Sequence, residues 1–425
     1  MEQISVETAL GLIGLVILVG LAGDLFFKRT GVPSVLFLMG LGVLLGPVLH
    51  FAEASKVIAL APYFGTLALL IILFDGGLNL QFMKVVKQAP LAVLFSLTVF
   101  ASTTVCIAAF YAWWLDGAWL HGFLLGSILA GTAAAIVIPV ASQLTALRGQ
   151  AKVLLSLDSA FSEVFVVVIA LAIMTALTEP SGKGSVVGSL FHAFIDALLL
   201  ATVAGAVWAR LLAWLQGQML SYMLTLAAIL VLYYVAELLG GNGAITILLF
   251  GLVLANMQYL VRRLAKPIRV LIGYELDQAE FALDAFLKRI NEELSFLVRT
   301  FFYVLLGLIL DVSAMTWMVA AVGIGLFVVT LIVRWVVTEI LGRVTGAWTA
   351  TERRVVASML PRGVATAVMA FLPPASGIPN TDLFPIYALT VIALGVMYMT
   401  AALAIERRMA REMVGPAPDP EPIKT

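Results

Sequence analysis

Apolar runs separated by short polar intervals make up almost the whole chain. They fall at roughly 6–27, 33–51, 61–82, 89–115, 120–143, 153–175, 186–214, 219–239, 243–261, 295–312, 315–341, 355–374 and 383–404. Each is near or above the ~20 residues a helix needs to cross hydrocarbon, and too long for the strands of a membrane barrel. The pattern predicts an all-α polytopic membrane protein of 13 transmembrane helices, with its two termini on opposite sides. Only the interval 262–294 is long enough to fold locally, and it reads as a basic, partly amphipathic helix over 274–290. The end after Glu412 is polar and carries Pro416, Pro418, Pro420 and Pro422. That divides the chain into a transmembrane domain, 1–412, and a short tail, 413–425.

Composition agrees. At 62% hydrophobic, 12% charged and a mean hydropathy of +1.08, the chain has too much apolar surface for a soluble core and too little charge for disorder. Net charge is zero, but its distribution is uneven. With the N-terminus outside, 20 of the 25 Lys and Arg residues fall on the cytoplasmic side, and only Lys56 and Lys183 fall outside. The positive-inside rule then predicts N-terminus out and C-terminus cytoplasmic, in a prokaryotic inner (cell) membrane. Glu2 and Glu7 give the wrong charge for a cleavable signal peptide, so the first run reads as a retained span. A single cysteine, Cys106, excludes an intrachain disulfide and a cysteine-rich metal site. His50, His121 and His192 show no ligand spacing and read as helix-end or interfacial residues. No basic tract of nucleic-acid type, Walker A or G-x-G-x-x-G motif, or hydrolase signature appears. A nucleic-acid partner, ATP-driven transport by this chain alone, an enzymatic role and a cofactor are therefore not expected.

Ionisable groups inside a membrane are functional candidates by default. Asp75, Asp158, Glu163, Asp196, Arg334 and Arg362 qualify; Asp24, Arg299, Asp311 and Glu339 lie near span ends and read as interfacial or snorkelling. The sixth run is the richest, with Asp158, Ser159, Ser162 and Glu163 in little more than one turn. Pairs four apart, Asp158 with Ser162 and Ser159 with Glu163, stack on nearby helix faces. Their hard oxygens suit a small cation, or a proton that competes with it. Glu163 and Thr132 sit at the middle of their runs. Asp158 and Arg334 share a depth nearer the cytoplasm, which predicts that they pair, with Arg362 as the reserve partner. That leaves Glu163 as the exchanging carboxylate. The fifth and twelfth runs are interrupted by helix breakers and small residues: Gly131 to Pro139, and Pro361-Arg362-Gly363. Broken helices in corresponding halves mark the binding site of inverted-repeat transporters, so unwinding is expected at 133–135 and 363–365, with the two segments crossing.

These residues resemble the monovalent cation:proton antiporters, in the NhaP-like branch that includes the animal sodium/proton exchangers. The resemblance covers about residues 6–410. It is carried by Phe74-Asp75-Gly76-Gly77-Leu78, similar to the family's F-[ED]-x-G-L, and by Gly131-Thr132. It is carried further by Asp158-Ser159-x-x-Ser162-Glu163 in the place of E-S-x-x-N-D, by Arg299-Thr300-Phe301-Phe302-Tyr303-Val304 and by Pro361-Arg362-Gly363. It implies that Glu163 binds cation and proton alternately, that Asp158 pairs with Arg334, and that Thr132 and Ser159 supply further ligands to Na⁺, Li⁺ or K⁺. It also implies a homodimer in the lipid bilayer, with a dimerisation domain and a mobile core domain. Three departures stand out. Ala133 replaces the usual Asp of T-D-P, the two acids of the sixth run exchange lengths, and Ser162 replaces Asn. One exchanging carboxylate suggests electroneutral exchange. A passive or gated cation channel of the same topology is the competing class.

Overall fold

Backbone polar groups in hydrocarbon must be satisfied within the segment, which favours helices. The computed structural model describes residues 6–30, 35–49, 54–79, 90–144, 147–178, 186–214, 221–272, 285–309 and 316–414, and among them the only regular structure is helical. The helices are α1 (Val6–Thr30), α2 (Val35–Val43), α3 (Ala54–Asn79), α4 (Pro90–Trp114), α5 (Trp119–Ala130), α6 (Ala134–Gln143), α7 (Gly149–Thr178), α8 (Val186–Trp214), α9 (Ser221–Leu238), α10 (Gly243–Ile272), α11 (Ala285–Ile309), α12 (Trp317–Thr345), α13 (Ala350–Ser358), α14 (Val364–Ala375) and α15 (Phe384–Val414). A π-helical turn, Leu44–Val48, continues α2 and contains Pro47, whose missing N–H loosens the ladder there.

Six stretches of the described residues are long and apolar enough to cross a membrane: 90–114, 119–143, 149–178, 194–212, 317–345 and 384–406. Shorter apolar helices lie at 13–26, 37–48, 65–78, 222–238, 243–257 and 364–375. The local helix expected at 274–290 lies partly outside the described residues; from 285 onward it is the start of α11 and runs unbroken into the apolar segment. The tail from 415 also lies outside them.

Two packing groups emerge. One joins α1, α2, α3, α8, α9, α10 and α11; the other joins α4 to α7 with α12 to α15. They meet where α3 touches α7 and α14, and where α8 and α10 touch α7. Large apolar side chains such as Leu18, Val203 and Ile332 face outward, as lipid-facing positions should. In lipid, small residues let helices approach closely. Gly42 of α2 and Gly307 of α11 do this for each other: a Cβ on either would overlap the opposite backbone, at Val304 O and Met39 O respectively. Gly307→Val should therefore destabilise the protein by about 1–3 kcal/mol. Gly40→Val, where nothing lies within 4 Å, should leave thermal unfolding in detergent unchanged.

Candidate ion and proton site

Two helices stop part-way and restart. α5 ends at Ala130, the backbone is extended at Gly131 and Ala133, and α6 begins at Ala134. α13 ends at Ser358, residues 359–363 are non-helical, and α14 begins at Val364. Both breaks fall earlier than the expected 133–135 and 363–365. Ala134, Ala135, Val364 and Ala365 open the following half-helices, where the first N–H groups need no intrahelical partner. The breaks are joined by a hydrogen bond, with Ala133 N–H donating to Pro361 O at 2.8 Å.

Four half-helix ends therefore gather in one place, each matched by a side chain of suitable charge. On the N-terminal side, Glu163 Oε1 accepts the Ala134 N–H at 3.2 Å. A Cβ built on Gly363 would stand 3.1 Å from the same oxygen. The carboxylate thus lies between the starts of α6 and α14, where helix dipoles favour negative charge. Beside it, Thr132 N–H donates to Ser162 Oγ at 3.0 Å, and the two hydroxyls are 2.9 Å apart. Ser159 is buried nearby, but its hydroxyl donates back along α7 to Leu155 O at 2.9 Å and Ser156 O at 3.2 Å. Ser162 likewise donates to Ser159 O at 3.2 Å.

On the C-terminal side stand two arginines, each at most 2% exposed. Arg334 donates through Nη2 to Asp158 Oδ2 at 2.8 Å and through Nε to Val356 O, in the last turns of α13, at 3.1 Å. Its guanidinium also lies 5.4 Å from the centre of the Phe95 ring. Arg362 donates through Nη1 to Ala130 O at 3.2 Å and to Gly131 O, at the end of α5. Each arginine therefore caps a half-helix end of negative polarity. Asp158 is in direct contact with Arg334, and Arg362 serves the helix end. Among the described residues, Asp158 Oδ1, Arg334 Nη1 and Arg362 Nε have no hydrogen-bond partner.

A cavity of about 760 Å³ reaches Glu163, and Asp75, Asp24, Glu292, Arg299 and Tyr303 also line it. Asp75 accepts a hydrogen bond from Asn291 Nδ2 at 2.7 Å. Arg299 Nε donates to Ser295 O at 3.1 Å. The interfacial reading of Asp24 and Arg299 is thus corrected, because both face inward. Asn291, Ser295 and Arg299 recur at intervals of four on α11, a polar stripe that was legible in the sequence. Asp196, by contrast, is exposed on α8 away from the cavity. Glu339 is at the surface with Arg343 at 2.6 Å and Arg353 at 3.0 Å. His121 is partly buried near the start of α5, its ring nitrogens without a partner. Asp311, His50 and the His192 side chain lie outside the described residues. Among the described residues no group of three His, Cys, Asp or Glu side chains is placed to hold a metal ion. The oxygens gathered at the break are instead the single Glu163 carboxylate with the Thr132 and Ser162 hydroxyls nearby.

Gly363 is a closely packed point of this junction. Its Cβ would meet Ala133 Cβ at 3.0 Å as well as Glu163 Oε1 at 3.1 Å. Gly363→Ala should push the two breaks apart by a few tenths of an ångström, costing about 1 kcal/mol. Thermal unfolding of the purified variant checks this.

Discontinuous helices meeting around a part-buried carboxylate are a feature of the secondary-transporter class of membrane protein. The chain belongs to the sodium/hydrogen exchanger family, whose transmembrane pattern matches residues 13–402. Two relatives are the K(+)/H(+) antiporter NhaP of Alkalimonas amylolytica, 23% identical over 91% of this chain, and the K(+)/H(+) antiporter NhaP2 of Shewanella baltica, 24% identical over 92%. This chain spans 64% and 65% of their respective lengths. The fold is similar to that of the sodium proton antiporter MjNhaP1 from Methanocaldococcus jannaschii at pH 8. The TM-score is 0.75 at 19% identity, covering 94% of this chain and 98% of that one. A second structure of that antiporter, from an electron-microscopy map, gives 0.73 at 18% identity, covering 97% and 100%.

Proposed function

We propose that the protein is a secondary active antiporter that exchanges a monovalent cation, Na⁺ or K⁺, for protons by alternating access. One observation carries the reading: the Glu163 carboxylate sits at the N-termini of two half-helices and faces a cavity. Burial disfavours a bare carboxylate, so Glu163 holds either a proton or a cation. The two compete for one group, and competition couples their opposite movements. Thr132 and Ser162 supply neutral oxygens, with Ser159 beside them; Asp75 is a secondary candidate on the cavity wall.

Asp158 is neutralised by Arg334 and does not exchange. With Ala133 where the family carries Asp, one titrating carboxylate remains, and one proton crosses for each cation. The exchange is electroneutral. The 13 spans run from an external N-terminus to a cytoplasmic C-terminus in a prokaryotic inner membrane, with the transmembrane domain at 1–412 and a cytoplasmic tail at 413–425. The interrupted segments cross at their breaks. The group built on α4–α7 and α12–α15 is the mobile core; the other group is the scaffold through which two copies dimerise.

Purified protein in proteoliposomes tests this. A gradient of Na⁺, Li⁺ or K⁺ should drive proton movement in the opposite direction with no net current. Cation current without obligatory proton counter-flow would instead indicate a channel.

A further inference from the structure

Glu352 is only 2% exposed, although it lies in the first turn of α13 at an end of the helix bundle. A carboxylate leaves water only where donors replace it. Its donors come from two different elements. Oε2 accepts the Thr349 N–H at 2.8 Å and the Thr349 hydroxyl at 3.0 Å, while Glu352 N–H donates to that hydroxyl at 3.2 Å. This closes a capping box on α13. Oε1 makes a contact that a capping box does not need. It accepts the backbone N–H of Arg148, in the link from α6 to α7, at 3.0 Å. The Arg148 side chain contributes little, because it is 69% exposed and its Nε is 3.6 Å away.

That contact closes a frame. α6, of 10 residues, and α13, of 9, are halves of the two interrupted helices and are nearly equal in length. At the breaks they are joined by Ala133 N–H to Pro361 O, and the start of α13 is joined to the start of α7 by Arg148 N–H to Glu352. The site hangs on the same frame. Ala134 N–H meets Glu163 at the start of α6, and Val356 O meets Arg334 in α13.

We infer that Glu352 is a positioning residue for exchange, whose clasp on the Arg148 N–H ties the start of α13 to the start of α7, the helix that carries Glu163, and so holds the geometry around Glu163 through the transport movement. The inference rests on the antiporter reading of the chain. Burial raises the Glu352 carboxyl, but the Thr349 and Arg148 N–H groups, the Thr349 hydroxyl and the Arg148 charge together hold it below the ordinary Glu range. The clasp is therefore ionised and closed at neutral pH.

Glu352→Asp separates the two contacts. One methylene shorter, the carboxylate still reaches Thr349 but withdraws from Arg148. Glu352→Gln keeps a carbonyl oxygen for that N–H, and Arg148→Ala keeps the N–H itself. Two readouts on the full-length protein are needed: amide hydrogen exchange in detergent and cation/proton exchange in proteoliposomes. In Glu352→Asp, amides over 147–152 should exchange about 10-fold faster. The half-saturating cation concentration should rise roughly 5-fold with the maximal rate kept within about 2-fold. Glu352→Gln should restore most of both, and Arg148→Ala should match wild type. Wild-type protection over 147–152 in Glu352→Asp would overturn the clasp. So would lost protection with unchanged half-saturation, or an Arg148→Ala variant as impaired as Glu352→Asp. If wild-type vesicles exchange nothing, the antiporter reading and the positioning role fail together, and the protection data show separately whether the clasp exists.

Discussion

Glu163→Gln is expected to abolish cation/proton exchange while the protein still inserts and unfolds at its normal temperature. Glutamine keeps the shape of the side chain and an oxygen for the Ala134 N–H, now 3.2 Å away, so the junction of the breaks stays assembled. What disappears is the charge. At about 4 Å and an effective dielectric near 20, a unit charge pair is worth ~4 kcal/mol. Losing that interaction weakens cation binding on the order of 10³-fold. The amide also takes up no proton in the cation's place, so the coupled half of the cycle has no carrier. Exchange in proteoliposomes should fall below about 1% of wild type. Near-wild-type exchange would mean that Asp75 or Asp158 carries the proton, and the competition mechanism would be wrong.

Asp158→Asn should act on stability rather than on the exchanging group. Arg334 is 1% exposed and its direct carboxylate partner is Asp158, at 2.8 Å. Arg362 keeps its carbonyl partners at the end of α5, so the substitution strands one guanidinium group, that of Arg334. Removing one partner of a buried pair typically costs 3–5 kcal/mol, far more than the net worth of the pair. Unfolding in detergent should shift accordingly to lower temperature. Arg334→Met combined with Asp158→Asn removes the stranded charge and should recover most of the loss, less the contribution of the lost Val356 O cap. Measurable exchange by this double variant is expected, because neither residue is the exchanging group. An Asp158→Asn protein with wild-type stability would contradict the assignment.

Much of this was readable because a helix converts residue number into depth at a fixed rise of 1.5 Å. Asp158 and Arg334 are 176 positions apart in the chain, yet matched depth and the cost of a lone charge predicted the contact that the structure contains. The breaks in α5–α6 and α13–α14 were signalled by Gly131, Pro361 and Gly363, though the expected unwinding began about two residues late in the first and about four in the second. Helix breakers mark a region, whereas the restart depends on which residue first finds helical geometry. Glu352 was not singled out at all: its burial and its hold on the Arg148 N–H depend on a loop about two hundred residues away in the chain.

The sequence alone determined that the chain is helical and that it belongs in a membrane, and it set the order of the ionisable groups along each apolar run. Hydrocarbon thickness sets the length of the apolar runs, and backbone satisfaction leaves only the helix to fill them. Tertiary structure alone decided which way each group points. Asp24, Arg299 and Asp196 all looked like isolated charges in apolar runs, yet the first two line the cavity and the third is exposed on α8. In a soluble helix the polar face would have revealed this. In a membrane helix the lipid side is as apolar as the packed side, so the pattern along the chain records order along the axis but not direction around it.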